Sequence, residues 1–416
     1  MIQPASNIPS FNSFGWEIEQ GKREEIIDVL ENFRDKRAKK NIPIFSIIDS
    51  DDDLQDIIKT SKFFINSDIE INDFILIGTG GSNLGAEALI EPLEKKNKIN
   101  FHVIDNIETN KLLNLLEKVD ANKTKILAVS KSGNTIETIS LLLILCEWML
   151  AKGNNLNNSV LVMSERKLKN KKNIILDIAK EKNISSVRHE ESIGGRFSSL
   201  TSTGLLPATV MGANPFLIRK SARTTLDYIL EEKNFFNLGS GFFLNDFPDT
   251  TKLNCIMGYG DFLEPLIRWY RQLWSESLGK KGNGIFFVSA KGPVDQHSQM
   301  QMWLDGPNIG LYSILLSSSD DAKINIPQSK FLPWSRSYTL DNLSNVMAYA
   351  AYDSLKSKNR PVRMINMPSR NSESIASLMV IFLVEVLVLA ELKKINPYGQ
   401  AAVEDIKVKT FSRLNK

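Results

Sequence analysis

The sequence is short of the residues that build disulfide frameworks and metal sites. It has two cysteines and three histidines among 416 residues. Cys146 and Cys255 lie far apart and show no spacing typical of metal or redox sites, which predicts two core thiols in a reducing compartment. The three histidines are also far apart. These absences favour a cytoplasmic protein that works without a metal or other cofactor.

Charge and hydropathy exclude further classes. The chain carries 51 Lys and Arg against 48 Asp and Glu, a net charge of +3, so no global field would hold nucleic acid or an anionic membrane. The first 20 residues lack the basic region and apolar core of a secretory signal. The longest apolar run, 375–392, is interrupted by Glu385 and Glu391 and is short for a membrane span of about 20 residues. It predicts a buried helix.

Length and pattern predict an α/β protein with two domains. Two domains are the expected number for 416 residues. From residue 73, short β-rich runs alternate with helical patterns, the order typical of a doubly wound parallel sheet, and a similar series follows from residue 255. The predicted segments are an N-terminal helical lead-in, two parallel-sheet domains and a C-terminal helical segment, at 1–45, 46–210, 211–392 and 393–416.

A glycine-rich turn follows the first predicted strand. Gly78, Gly80 and Gly81 precede Ser82, where a helix is predicted to begin, so backbone N–H groups and a helix N-terminus could hold an anion there. A dinucleotide-binding fingerprint does not fit, because it would need Gly where Asn83 stands. A purely structural turn fits equally well.

A second strand-to-helix turn combines hydroxyls, backbone donors and one ammonium. Its side chains, with those of the helix that follows, are Ser130, Lys131, Ser132, Thr135 and Thr138. They predict a phosphate cradle that needs no metal. The alternative is a well-capped helix, because Ser and Thr are favoured at helix starts.

Two charged residues are candidates for proton-transfer chemistry. Arg196 follows a pair of glycines that would let the backbone approach a ligand, and it offers a fixed cationic fork. A solvated ion-pair partner is the alternative. Glu276 lies in the last turn of a predicted helix, where the helix dipole disfavours a negative charge and so favours a base. The alternative is a surface glutamate paired with Lys280 or Lys281.

One of the three histidines is also a candidate. His297 lies in a polar loop after a predicted strand, where the active-site loops of parallel sheets gather, so a lone imidazole there predicts proton transfer. His102 and His189 are predicted to be structural or exposed.

Six motifs, in order, resemble the glucose-6-phosphate isomerase family over residues 74–408. They are GTGGSNLGAEA, SKSGNTIET, GGRFSSLTSTGLLP, QLWSESLGKKGNG, DQHSQMQMWLDGP and NPYGQAAVEDIK. The resemblance implies two sugar isomerase (SIS) domains of flavodoxin-like topology in a homodimer with shared active sites. It also implies that glucose 6-phosphate and fructose 6-phosphate are interconverted through ring opening and a cis-enediolate, a step of glycolysis and gluconeogenesis.

The resemblance assigns roles residue by residue. Glu276 matches the base that moves a proton between C1 and C2, and Arg196 matches the group that stabilises the enediolate. His297 matches the group that assists ring opening, Lys407 the partner of the ring oxygen, and Glu137 the residue that orients the histidine. The matches to the phosphate- and sugar-binding set are Gly81, Ser82, Ser130, Lys131, Ser132, Thr135, Thr138, Gly195, Gln272 and Gln400.

Two other functions fit part of the pattern. A dual phosphoglucose and phosphomannose isomerase would use the same proton chemistry, although Gln400 favours the glucose-only enzyme. A non-catalytic sugar-phosphate sensor would need the phosphate cradle but not Glu276, His297 and Lys407. The sequence shows no basic helix-turn-helix pattern for the DNA-binding head of such a sensor.

Overall fold

The N-terminal segment contains a strand and three helices. The computed structural model describes residues 7–15, 20–65, 71–93, 98–166, 172–237, 251–317 and 324–414. The first elements are β1 (Ser10–Phe14), α1 (Gln20–Ala38), α2 (Pro43–Asp49) and α3 (Leu54–Ile65). Helix α1 confirms the helical pattern of the lead-in and buries Ile26, Leu30 and Phe33.

The first sheet is parallel throughout, as the alternating pattern predicts. Its strands are β2 (Asp73–Ile77), β3 (Asn100–Ile104), β4 (Thr124–Val129), β5 (Val160–Ser164) and β6 (Ser185–Arg188), in the order β3-β2-β4-β5-β6. The helices among and after them are α4 (Leu84–Ile90), α5 (Thr109–Lys118), α6 (Ile136–Ala151), α7 (Leu156–Ser159), α8 (Ile174–Glu181), α9 (Ser202–Val210), α10 (Pro215–Leu230) and α11 (Glu232–Asn237).

The second sheet contains four parallel strands and one antiparallel edge strand. Its elements are β7 (Leu253–Tyr259), α12 (Glu264–Leu278), β8 (Phe286–Gly292), α13 (Met300–Asp305), β9 (Gly310–Ser317), α14 (Leu340–Ser357), β10 (Val362–Met367) and α15 (Ser372–Leu392). The order is β1-β10-β9-β7-β8, with β1 antiparallel to β10. Helix α16 (Ala401–Leu414) ends the described chain. The two-sheet α/β fold is confirmed, while the domain boundaries stay a prediction.

Helices packed between the two sheets form the central core. One apolar cluster joins Leu76 and Leu127 of the first sheet to Ile256 and Ile365 of the second through helices α4, α9, α10, α12 and α15. Separate clusters cover the outer face of each sheet, and they contain Cys146 and Cys255, both free and buried as predicted. The candidate residues on α12 therefore sit on a helix that packs between the two sheets.

Helix α15 is the buried helix that the longest apolar run predicts. Among the described residues, this one helix is long and apolar enough to cross a membrane, and 89% of its apolar window is buried inside the protein. It packs against α10 and α12. Protein rather than lipid surrounds it here.

A fully buried ion pair links α15 to the second sheet. Nη1 and Nη2 of Arg363 in β10 donate to the carboxylate of Glu385 at 2.5 and 3.3 Å, and both side chains have no exposed surface. Nε of Arg363 donates to Oγ of Ser313 at 3.0 Å. The pair satisfies two charges that would each be very costly to bury alone.

We predict that Glu385→Ala destabilises the protein by about 3–5 kcal/mol, because it leaves the buried guanidinium of Arg363 without its anion. The matched control is Glu391→Ala on the same helix. Glu391 is exposed and meets Lys36 at 3.4 Å, so its loss should cost less than about 1 kcal/mol. Urea denaturation of both variants measures the difference, and equal midpoints would contradict the assignment.

Candidate active site

The turn Gly80–Ser82 lies at the carboxyl end of β2 and faces helix α12. Gly80 has a φ of +58°, which favours glycine. A Cβ on Gly80 would stand 2.7 Å from Nε2 of Gln272, so the missing side chain lets α12 approach the turn. One helical turn earlier, Nη2 of Arg268 donates to Asp105 at 2.7 Å, beside the end of β3. The carboxyl edge of the first sheet therefore meets α12.

Two glycine backbones touch beside this turn. A Cβ on Gly81 would stand 2.2 Å from the carbonyl carbon of Gly195 and 2.6 Å from the amide nitrogen of Arg196. Oγ of Ser198 donates to the carbonyl oxygens of Gly195 at 2.7 Å and Gly81 at 3.4 Å. This contact fixes the start of the 3-10 turn Gly195–Leu200 and with it Arg196.

The guanidinium of Arg196 is buried, with 2% of the residue exposed. Its Nε donates to Oγ of Ser277 at 2.9 Å, and Nη1 donates to Oε2 of Glu276 at 3.0 Å and Oε1 of Gln400 at 3.2 Å. Nη2 donates to the carbonyl oxygens of Pro397 and, at 3.0 Å, Gly399. Burial lowers the pKa of Arg196, and the carboxylate of Glu276 opposes that shift.

Glu276 bridges this arginine and the neighbouring turn of α12. Its Oε1 accepts from Nε2 of Gln272 at 3.0 Å, and its side chain is 28% exposed. The glutamate thus pairs with Arg196 rather than with Lys280 or Lys281. Oε1 of Gln272 is buried and accepts no hydrogen bond from any described residue. A partly open carboxylate and an unused acceptor lie next to each other.

The second strand-to-helix turn has the open helix start that an anion site needs. Ser130 follows β4, and its Oγ donates to Oγ1 of Thr135 at 3.0 Å. Thr135 is the N-cap residue of α6, but its side chain caps none of the first helical amides. The hydroxyl of Thr135 therefore does not cap α6, and a role for this turn in holding an anion stays a prediction. Ser132 is exposed, and its Oγ accepts from the amide of Asn134 at 3.3 Å.

Near this turn, the ammonium of Lys131 has three partners, whereas the buried hydroxyl of Thr138 has none among the described residues. Nζ of Lys131 meets Oε1 of Glu165 at 3.1 Å and donates to the carbonyl oxygens of Glu191 at 3.1 Å and Ile193 at 2.6 Å. It therefore braces the segment that leads to Arg196. Thr138 is fully buried, and its Oγ1 has no partner in the described part of the chain.

His297 lies away from Glu276, although twenty residues separate them in sequence. Helix α12 runs from the carboxyl end of β7 to the start of β8, where Nε1 of Trp274 donates to the carbonyl oxygen of Ile285 at 3.1 Å. His297 follows the other end of β8, in the 3-10 turn Val294–His297. The seven residues of β8 span roughly 20 Å at about 3.3 Å each. One chain does not bring the two residues together.

His297 and Glu137 have no described partner. His297 is exposed, Glu137 is partly exposed in the first turn of α6, and neither makes a hydrogen bond or ion pair with another described residue. The other two histidines are structural, as predicted. Nε2 of His102 meets Asp73 at 2.8 Å, and burial lowers the pKa of His189 to about 4.

The C-terminal segment reaches the site with Gln400 but not with Lys407. Residues 396–400, which we call the strap, contact Arg196 as described above. Lys407 lies in α16, half exposed, and its Nζ donates to Oε1 of Glu404 at 2.7 Å. No residue of α16 is buried. The helix projects from the described chain.

Three contacts that hold the site leave no local signal in the sequence. Ser277 supplies the acceptor for Nε of Arg196, and Nε1 of Trp269 donates to the carbonyl oxygen of Arg196 at 3.1 Å. The strap carbonyls complete the set. All three pairings join segments more than 70 residues apart, so no local motif contains them. Among the described residues, no group of three His, Cys, Asp or Glu side chains is placed to hold a metal ion.

Two solved structures share this fold. A glucose-6-phosphate isomerase from Chlamydia trachomatis matches with a TM-score of 0.71 at 15% identity, over 87% of this chain and 74% of that one. A hypothetical protein from Thermus thermophilus matches with a TM-score of 0.84 at 28% identity, over 95% and 97%.

Sequence comparison identifies the family. Residues 40–294 match the model of the phosphoglucose isomerase family. The chain is 31% identical to a glucose-6-phosphate isomerase of Thermus thermophilus over 83% of its own length and 84% of the relative's. It is 27% identical to that of Carboxydothermus hydrogenoformans, over 95% and 90%. The chain belongs to the phosphoglucose isomerase family, which confirms the resemblance seen in its motifs.

We predict that Gly81→Ala destabilises the protein, by about 1–3 kcal/mol, because its Cβ would push against the backbone of Gly195 and Arg196. The control is Gly195→Ala in the same contact. A Cβ on Gly195 meets its nearest neighbour, the Cα of Gly81, at 3.7 Å, which is ordinary packing. Thermal melting should therefore show a lower midpoint for the first variant alone, and equal loss in both would contradict the prediction.

Proposed function

We propose that the protein interconverts glucose 6-phosphate and fructose 6-phosphate. The observation that carries this proposal is the contact between the partly open carboxylate of Glu276 and the buried guanidinium of Arg196. Aldose–ketose isomerisation needs a base beside the carbon that loses a proton and a cation beside the oxygen that gains charge. The relatives named above as glucose-6-phosphate isomerases support this substrate.

In the proposed reaction, Glu276 moves one proton between two neighbouring carbons. Its carboxylate takes the proton from C2 of the open-chain aldose, and the electron pair forms the C1–C2 double bond of an enediolate. The hydroxyl proton of O2 passes to O1, and the same carboxylic acid then returns its proton to C1, which leaves the carbonyl at C2 and a hydroxyl group at C1. Arg196 stabilises the negative oxygen of the intermediate.

Substrate must displace an existing hydrogen bond of Arg196. A guanidinium has five N–H donors, and five acceptors already surround this one. The two bonds of Nη1, to Glu276 and Gln400, are the ones nearest the carboxylate that reacts. Exchange of the Gln400 contact for a sugar oxygen would leave Glu276 oriented, because Gln272 still donates to its other oxygen.

The turn 130–135 is the proposed anchor for the phosphate. The uncapped amides of α6 and the hydroxyls of Ser130, Ser132 and Thr135 are donors that suit a phosphate oxygen. The unused Oγ1 of Thr138 lies in the same first turn. An anchor of this kind holds the reacting carbons beside the base, which contributes to rate through orientation.

We further propose that the protein acts as a homodimer in the cytoplasm, with each active site shared. His297 and Glu276 lie at opposite ends of β8, so a second chain is the simplest source of the histidine. Helix α16 supports a partner as well. It exposes a set of apolar side chains that no described residue of the same chain covers: Val403, Ile406, Val408, Phe411 and Leu414.

We predict that Glu276→Gln lowers kcat at least ~100-fold with little change in KM, because the amide keeps the shape but accepts no proton. The matched control is Glu264→Gln, an exposed glutamate in the first turn of the same helix. A coupled assay with fructose 6-phosphate measures both, with and without a chelator. Normal turnover by Glu276→Gln would exclude Glu276 as the base. Loss of wild-type activity in chelator would exclude the metal-free mechanism.

The same assay with mannose 6-phosphate as the substrate tests whether the protein is a dual phosphoglucose and phosphomannose isomerase.

We predict that inactive Glu276→Gln and His297→Ala variants restore activity when their subunits exchange. With equal amounts, half of the dimers are mixed, and each mixed dimer holds one site without defects. About a quarter of wild-type activity should therefore return. Each variant exchanged with itself is the control. Proven exchange without recovered activity would rule out a site shared in this way.

A further inference from the structure

Two cations hold the strap by alternate backbone carbonyls. Nζ of Lys280 donates to the carbonyl oxygens of Asn396 at 2.7 Å and Tyr398 at 2.8 Å. Nη2 of Arg196 donates to those of the residues between and after them, Pro397 and Gly399. Four consecutive carbonyls are therefore bound in turn by a lysine and by the arginine of the site.

The strap attaches α16 to the rest of the described chain. The preceding helix α15 is almost entirely buried, whereas α16 buries no residue. Besides the two cations, the strap is held by the ring of Tyr398, whose centroid lies 5.4 Å from that of Phe197. The position of Gln400 and the direction of α16 thus depend on a short stretch of backbone.

The two cations differ in what else they contact. Arg196 also binds Glu276, Ser277 and Gln400, and in the proposed reaction one of its N–H groups turns to the substrate. Lys280 directly follows Gly279 at the end of α12 and donates to the strap instead of to Glu276 or Gln400. Burial, and next the charge of Arg196, lower the pKa of Lys280. The lysine can keep hold of the strap while the arginine rearranges.

We propose that Lys280 is a positioning residue, which keeps Gln400 and the start of α16 at the active site by binding the carbonyls of Asn396 and Tyr398. This inference rests on the proposed isomerase function for its kinetic consequence. The two hydrogen bonds from Lys280 to the strap, which we call the clamp, form in the protein without substrate. Their loss should therefore be measurable without substrate.

The test compares Lys280→Met, Lys280→Arg and Lys281→Met in the full chain. Methionine removes the donors but keeps most of the length of the side chain, while arginine can still donate to two carbonyls. Lys281 is the matched control, because it is the adjacent lysine, is exposed, and its ammonium group has no partner among the described residues.

The rate of amide hydrogen exchange in residues 396–404 reports directly on whether the clamp holds the strap. Lys280→Met should speed exchange there about tenfold, and kcat should fall about tenfold, the order expected when a charge-assisted hydrogen bond is lost. KM should change less than about twofold, because the phosphate anchor lies elsewhere. Lys280→Arg should restore both values, and Lys281→Met should match wild type in both.

Each departure from this pattern overturns the proposal. Unchanged exchange in Lys280→Met means that no clamp exists, whatever the activity does. Faster exchange with normal kcat means that the clamp does not position the reacting groups. If wild type itself fails to isomerise fructose 6-phosphate, the proposed function fails, while the exchange data still decide whether Lys280 holds the strap.

Discussion

The site depends on the need to satisfy one buried guanidinium. A planar group with five N–H donors in fixed directions requires acceptors at fixed positions, and in a buried place each unmet donor would be costly. For Arg196 these acceptors come from the end of α12 and from the strap, and the close contact of Gly81 with Gly195 delivers the arginine to them. One charge therefore fixes the relative positions of three distant segments.

Much of the fold could be predicted, because buried parallel strands read as continuous apolar runs between helical patterns. The strands that this apolar pattern failed to predict show why such a prediction is incomplete. Strand β10 contains the buried Arg363, which breaks the apolar run and is acceptable only because Glu385 lies across from it. Strands β1 and β6 are short and largely exposed. Their sequences therefore lack the apolar run that indicates a buried strand. The N-terminal lead-in therefore contributes a strand to the second sheet as well as a helix.

The local parts of the site could be predicted, but the pairings between them could not. The turn 130–135 and the end of α12 are continuous in sequence, so the residue types there indicate their chemistry. The contact of Arg196 with Glu276 spans 80 positions, and nothing local to either residue encodes it. Lys131 shows that the local sequence can also suggest an unpaired group where the fold supplies partners. Its ammonium looks free in the motif, yet it is held by Glu165 and two carbonyls.

The distribution of the candidate groups over the chain bears on how activity would depend on assembly. Glu276, Arg196, Gln272 and Gln400 are brought together within one chain, whereas His297 lies beyond the far end of β8 and Lys407 on a helix without buried residues. A single chain thus brings together the proposed groups for moving the proton but not those proposed for opening the sugar ring. In a shared-site dimer, ring opening would be the step that needs the second subunit. Dilution below the dimer dissociation constant would then abolish turnover of the cyclic sugar, while the buried Arg196 network, which is internal to one chain, would remain formed.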